Sequence, residues 1–218
     1  MAELVTSVPS ALGVERTDAL MFATLADFKV DVSRLREHFE NSVQNEVATP
    51  YRDYRVDYLG WSVTSRDGSL DDGVKRISKA DKNTKRGTTK TSICTGYLEE
   101  VIDELRSREL AIYRARIMQL VSNGEEMPFH RDAEKETWRL HIPIKTNSES
   151  YFEWRRSDGS VESVHLPADG SAYLVRVDLE HRAVNRSADP IDRVHLLMGV
   201  SPAPPRDSLT EPLLPADK

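Results

Sequence analysis

Six histidines occur in the chain, and one of them, His130, is followed two residues later by Asp132 in the run EEMPFHRDAEKETW. On an extended segment, side chains at i and i+2 leave the same side of the backbone. The pair can therefore offer an imidazole nitrogen and a carboxylate oxygen to one ion. A third ligand from a distant strand would complete a facial triad with three coordination positions open. Two histidines and one carboxylate in that arrangement characterise non-haem Fe(II) sites. Thiolate sites are excluded, because Cys94 is the only cysteine. A His-x-Asp pair alone carries little weight, since such pairs arise by chance; the order of the residues that follow raises it.

His181 lies well downstream in DLEHRAVNRS, directly after the strand-like SAYLVRVD, and Arg193 opens the later run RVHLLMGV. A bidentate co-substrate with a free carboxylate at its far end needs a planar, permanently charged fork buried near the metal. Arg193 suits that role, and a strand would hold it rigidly. Arg139 and His141 share the i, i+2 geometry on RLHIPI, although a strand arginine can also serve a surface ion pair. His165 and His195 read as hydrogen-bonded packing residues, and His38, on an expected helix, as a surface residue. Trp61, Trp138 and Trp154 read as core or sheet-face aromatics. Phe152 and Trp154 are also weak candidates for contact with a substrate.

Taken in order, HRD, RLHIPI, EHRAVN and RVHLL resemble the aspartyl/asparaginyl β-hydroxylase family of 2-oxoglutarate- and Fe(II)-dependent oxygenases, a pattern shared by small bacterial cis-proline hydroxylases. The resemblance covers roughly residues 112–200. It implies that His130, Asp132 and His181 hold Fe(II), and that Arg193 meets the distal carboxylate of 2-oxoglutarate. It implies too that Arg139 and His141 line the pocket for co-substrate and substrate. Some members of the family lack the carboxylate ligand. Its presence here as Asp132 implies hydroxylation rather than halogenation, because chloride needs the vacated position. The implied reaction consumes 2-oxoglutarate and O2, releases succinate and CO2, and hydroxylates an amino acid or an Asp-, Asn- or Pro-like residue of a peptide.

The elements that must position these residues fall into two regions. In DVSRLREHFENSVQ, Val32, Leu35, Phe39 and Val43 fall on one helical face, with Asp31 or Ser33 as N-cap. GYLEEVIDELRSREL predicts a second helix with a stripe of Leu98, Val101, Ile102 and Leu105. From residue 111 the runs AIYRARIMQLV, TWRLHIPIKT, SYFEWRR, SVESVHLP, SAYLVRVD and RVHLLMGV predict short strands. Turn signals at Ser122-Asn123-Gly124, Asp158-Gly159 and Asp169-Gly170 separate them. The expected fold is α+β, a double-stranded β-helix (jelly-roll or cupin-like) core with supporting N-terminal helices. Its expected division is 1–110 as a helical or mixed region, 111–201 as the core and 202–218 as a proline-rich tail, all in one domain. The first twenty residues show no clear period.

Composition excludes other classes. The chain has 218 residues, of which 39% are hydrophobic and 30% charged, and no apolar run approaches the ~20 residues that cross a bilayer. No secretory signal is evident, and with one cysteine the expectation is a reducing, cytoplasmic setting. The formal net charge of −6 argues against a nucleic-acid partner, which requires a basic face. Within residues 75–90, however, Lys75, Arg76, Lys79, Lys82, Lys85, Arg86 and Lys90 face only Asp81. That stretch is a solvated loop, or a rim attracting an anionic substrate or partner. Two rival readings follow: a non-enzymatic cupin-like module for small anions, and a partner-binding protein using the basic segment.

Overall fold

Alternation along the strands of the C-terminal half sorts their side chains onto two faces, and the molecule is built on that sorting. The computed structural model describes residues 21–51, 57–74, 87–108, 110–121, 126–132, 138–189 and 192–200, with the backbone of 209–210. Strand β1 (Phe22–Lys29) precedes helix α1 (Val32–His38), which runs on into a wider helical turn, Phe39–Val43. Next come β2 (Thr49–Pro50), β3 (Tyr58–Ser62), β4 (Thr64–Ser65) and β5 (Thr89–Lys90), then helix α2 (Gly96–Ser107). The remaining strands are β6 (Ile112–Leu120), β7 (Trp138–Lys145), β8 (Ser150–Arg155), β9 (Val161–Val164), β10 (Ser171–Arg176), β11 (His181–Asn185), β12 (Arg193–Val200) and β13 (Leu209–Thr210).

Eight strands form one antiparallel sheet in the order β13-β1-β10-β7-β12-β6-β3-β2, and three form a smaller one, β11-β8-β9. On the outer face of the large sheet, Leu140, Ile142, Leu196 and Met198 join Leu35 from α1, Phe39 from the turn after it and Leu98, Ile102 and Leu105 from α2 in one buried cluster. Each such side chain contributes about 1.5–3 kcal/mol on burial. Asp31 caps α1 as expected, its carboxylate accepting from the backbone N–H groups of Ser33 and Arg34 at 2.9 and 3.2 Å. The alternate residues, Arg139 and His141 on β7 and Arg193, His195 and Leu197 on β12, take the inner face toward the small sheet.

The N-terminal half is less helical than its sequence suggests. Its strands β1, β2 and β3 join the large sheet at both flanks, so the expected boundary at 110/111 is no seam in the sheet. β1 was hidden because Asp27, at φ 51°, interrupts its alternation where the register with β10 shifts. β11, also unforeseen, follows β10 across a short turn and carries His181 as its first residue. Of the expected turns, Asp169-Gly170 is demanding: Gly170 has φ +87°, and its carbonyl accepts from Val30 N–H at 2.9 Å, too close to Val30 for a β-carbon. The first twenty residues, 75–86, Ser122-Asn123-Gly124 and the tail other than the 209–210 backbone lie outside the described residues.

Candidate active site

His130 and His181 meet through their backbones. Each donates its N–H to the other's carbonyl, at 2.9 and 2.8 Å, in an isolated antiparallel bridge. Asp132 N–H donates to Val177 O at 3.0 Å, which ties the His-x-Asp segment to the end of β10 as well. Donor atoms of His130, Asp132 and His181 all lie within 4.8 Å of one another.

The ring tautomers follow from the hydrogen bonds. His130 Nδ1 lies 3.1 Å from Pro128 O and His181 Nδ1 lies 2.8 Å from Leu179 O. A carbonyl only accepts, so both Nδ1 atoms carry the proton and both Nε2 atoms keep a lone pair for an ion. Burial lowers the His181 pKa to about 4, a shift that Asp132 opposes and His130 assists. Burial alone would raise Asp132. The charges of Arg139, His181 and His130 outweigh it and hold the carboxyl below its ordinary value. Arg139 Nη2 forms an ion pair with Asp132 Oδ2, so this arginine is tied to the expected metal ligand.

A cavity opens beside the triad, about 440 Å³ out to its open mouth. His130, His181, Arg139 and His141 line it together with Phe152 and Leu197. Phe152 stacks on His181 with ring centres 5.3 Å apart, while Trp154 is fully buried and donates to Arg176 O at 2.8 Å. Arg193 lies beyond the lining, 2% exposed, against the Tyr58 phenol that does line the cavity. Its Nη1 and Nη2 have no hydrogen-bond acceptor among the described residues. Burial lowers its pKa to about 10, and Tyr58 offsets part of that shift.

His141 and His195 form a further buried pair with Nδ1 atoms 3.4 Å apart. One of the two must donate and the other accept, so one ring presents an N–H at Nε2 and the other a lone pair. Neither Nε2 has a partner. Burial, reinforced by the Arg193 charge, holds both rings well below the ordinary imidazole range. His165 has its packing bond, to Ser150 O at 2.9 Å. His38 departs from expectation: it is half-buried and bonds Ile93 O at 3.0 Å, because the wide turn after α1 leans the helix end onto the loop before α2.

Among the polar lining residues, three were not anticipated: Tyr51, Tyr58 and Arg116. Tyr51 and Tyr58 sit in YRDYRVDYLGW, where nothing in the residue types or spacing points to a site. Arg116 lies in AIYRARIMQLV, where two arginines alternate and only the observed register shows which faces inward.

No protein-family model matches the chain, and no curated protein matches it by sequence. Among solved structures it overlaps a prolyl hydroxylase from Trichoplax adhaerens, solved in complex with a hypoxia inducible factor oxygen degradation domain peptide fragment. That overlap has a TM-score of 0.51 and 12% identity over 82% of each chain. The chain has the fold of that hydroxylase. A 2OG-Fe(II) oxygenase family oxidoreductase from Burkholderia pseudomallei overlaps 78% of this chain and 77% of its own, at 14% identity and a TM-score of 0.49. A Pseudomonas putida prolyl-4-hydroxylase overlaps 83% and 91%, at 12% identity and a TM-score of 0.44. No helix among the described residues is long and apolar enough to cross a membrane.

Proposed function

We propose that the chain is an Fe(II)- and 2-oxoglutarate-dependent oxygenase that hydroxylates an amino acid or an amino-acid residue. The observation that carries this reading is the convergence of His130, Asp132 and His181, with both imidazoles oriented by backbone carbonyls, on one wall of a cavity that also meets a buried guanidinium. The donor set fits a hard divalent ion that keeps open positions for other ligands. The fold shared with a prolyl hydroxylase and the motif order shared with the aspartyl/asparaginyl β-hydroxylases support the same reading.

The residues divide the work as follows. His130, Asp132 and His181 would hold Fe(II). Arg193, whose buried Nη atoms lack an acceptor, would take the distal carboxylate of 2-oxoglutarate with the Tyr58 hydroxyl beside it. The His141–His195 pair offers one N–H donor and one acceptor at the edge of that path. Arg139 holds the Asp132 carboxylate in its charged form. Phe152, Leu197, Met118 and Ala183 make the intervening walls apolar and keep water from the reacting centre. When bound together, the ion, 2-oxoglutarate and O2 supply oxidative decarboxylation to succinate and CO2, coupled to transfer of one oxygen atom into a substrate C–H bond. The Asp132 ligand favours hydroxylation over halogenation.

The test is succinate formation from 2-oxoglutarate with and without Fe(II), across free amino acids and short Asp-, Asn- and Pro-containing peptides. Iron-dependent succinate that disappears in Asp132→Ala supports the proposal. If no substrate gives turnover and neither Fe(II) nor Mn(II) binds, the site reverts to a non-enzymatic anion-binding module.

A further inference from the structure

We infer that Arg116 is the docking group for a carboxylate of the substrate, and that the substrate is therefore a small carboxylic acid of the amino-acid type. The inference deepens the proposed function and rests on it.

The first observation is a buried cation with no hydrogen-bond or ion-pair partner among the described residues. Arg116 is 2% exposed and lines the cavity, and its guanidinium makes no hydrogen bond to a described residue; Nε is buried without one. Its neighbours are the Tyr51 ring, 6.0 Å away, the Tyr58 phenol and two further cations, Arg114 and Arg139. Burial, with those two arginines, pushes its pKa down to about 9, so at neutral pH it is still charged. A lone buried charge is costly unless an anion joins it.

The second observation is how Arg116 comes to face inward. β6 carries a bulge at Arg114, a non-glycine residue at φ 52°, where the pairing with β12 slips between Leu197↔Arg116 and Gly199↔Tyr113. Ile112, Ala115 and Ile117 all lie in the outer cluster, one residue out of simple alternation. Without the extra residue, a period of two counted from Ile112 would turn Arg116 outward. The bulge is fastened by Arg114 N–H to Gly87 O at 2.6 Å and Arg114 Nε to Gly73 O at 2.7 Å. A strained, fastened bulge that re-aims one side chain into a cavity is a feature of functional sites.

The third observation is the charge balance of the interior. Among the described residues, Arg116, Arg139 and Arg193 face the cavity or adjoin it, against the single carboxylate of Asp132. With a divalent ion bound, four positive charges remain uncompensated, and the 2-oxoglutarate dianion removes two. Arg139 is held by Asp132 and Arg193 lies beside Tyr58 on the co-substrate path, so Arg116 is the cation left for a second anion. Its planar fork matches a carboxylate in two-point contact.

The test uses full-length protein loaded with Mn(II) and 2-oxoglutarate, which binds without turnover. Calorimetric titration compares three acids with their amides: L-proline with L-prolinamide, L-aspartate with L-asparagine, and L-glutamate with L-glutamine. The expected result is at least a tenfold preference for one acid over its amide. Arg116→Gln and Arg116→Met should abolish the preference and Arg116→Lys should keep part of it, all with unchanged Mn(II) and 2-oxoglutarate affinity. The unliganded Gln and Met variants should melt no lower than the parent, since the charge they remove has no carboxylate partner among the described residues. The inference is overturned if no acid is preferred, if the preference survives in Arg116→Gln, or if all three variants melt well below the parent. A tenfold loss of 2-oxoglutarate affinity in Arg116→Gln, with Arg193→Met unaffected, would also overturn it by making Arg116 the co-substrate arginine. Failure of the parent protein to bind Mn(II) and 2-oxoglutarate is a separate result, and it removes the oxygenase reading together with this one.

Discussion

His130 and His181 exchange both of their backbone hydrogen bonds while their rings lie 4.6 Å apart between centres, so the two imidazoles are fixed by main chain rather than by side-chain packing alone. Asp132 hangs from the same segment through its own N–H bond to Val177 O. The triad is thus laid out before an ion arrives, and loss of one ligand should not scatter the other two. Asp132→Ala is expected to lower Mn(II) affinity by on the order of 100-fold or more, since even outer-shell partners contribute about 10- to 100-fold. An EPR titration of Mn(II) measures this, and near-parental affinity would remove Asp132 from the ligand set.

The segment before His130 is clasped from outside. Phe129 lies between the guanidiniums of Arg155 and Arg182, at 4.1 and 4.3 Å from its ring centre. Arg182 and Arg186 both pair with Glu126, at 2.6 Å each, and with Glu153, at 2.7 Å each. Arg182→Ala removes one side of the clasp and both of that residue's ion pairs without touching a ligand. Metal affinity should fall by about tenfold. Arg182→Lys, which keeps the charge and loses the flat stack, should fall in between. Equal affinities across the three proteins would show that the clasp does not position His130.

How much of this was legible beforehand depends on which physical rule governed each residue. His130 and Asp132 could be paired because alternation on an extended segment is purely local. His181 and Arg193 could be added only through the order of motifs, since nothing local shows that β11 begins on a residue that meets His130 and Asp132. Both helices were legible from their apolar spacing, Leu35 and Phe39 in one and Leu98, Ile102 and Leu105 in the other. β1 was not, because Asp27 breaks its pattern, and the helical character expected of the first half was overstated for that reason. Arg116 was invisible for a related reason. A bulge shifts the face of every residue beyond it, and only the partner strand reveals where the shift occurs.

Glu153 gives the chain a specific acid sensitivity. Its side chain is 3% exposed, and burial alone would raise its pKa. Hydrogen bonds from Arg186 and Arg182, with their charges, outweigh burial and hold the carboxyl below its ordinary 4.5. The unfolded chain therefore takes up the proton first as the pH falls. The stabilisation is complete above that ordinary value and is lost as the pH drops through the lower folded one. Glu153→Gln should cost about 1–3 kcal/mol at pH 7. It should also flatten the decline in stability below about pH 4.5. Urea unfolding across pH checks both, and parallel pH profiles for the two proteins would exclude Glu153 as the source.

Arg193 and Tyr58 make the last prediction, which separates the co-substrate from the metal. The guanidinium is buried with both Nη atoms lacking acceptors, and the phenol beside it lines the cavity. Truncating one partner of a buried charge-assisted pair costs about 2–5 kcal/mol. Arg193→Met should therefore raise the 2-oxoglutarate KM by roughly 30-fold or more while Mn(II) affinity stays at the parental value. Tyr58→Phe removes one neutral hydrogen bond and should raise it only about three- to tenfold. The two effects should not add, because in the proposed site the phenol and the guanidinium would address the same carboxylate. Without co-substrate, Arg193→Met should melt at or above the parent temperature, since it exchanges a buried charge with no carboxylate partner among the described residues for an apolar side chain. An unchanged KM in Arg193→Met would transfer the distal carboxylate to another arginine of the cavity and leave the triad untouched.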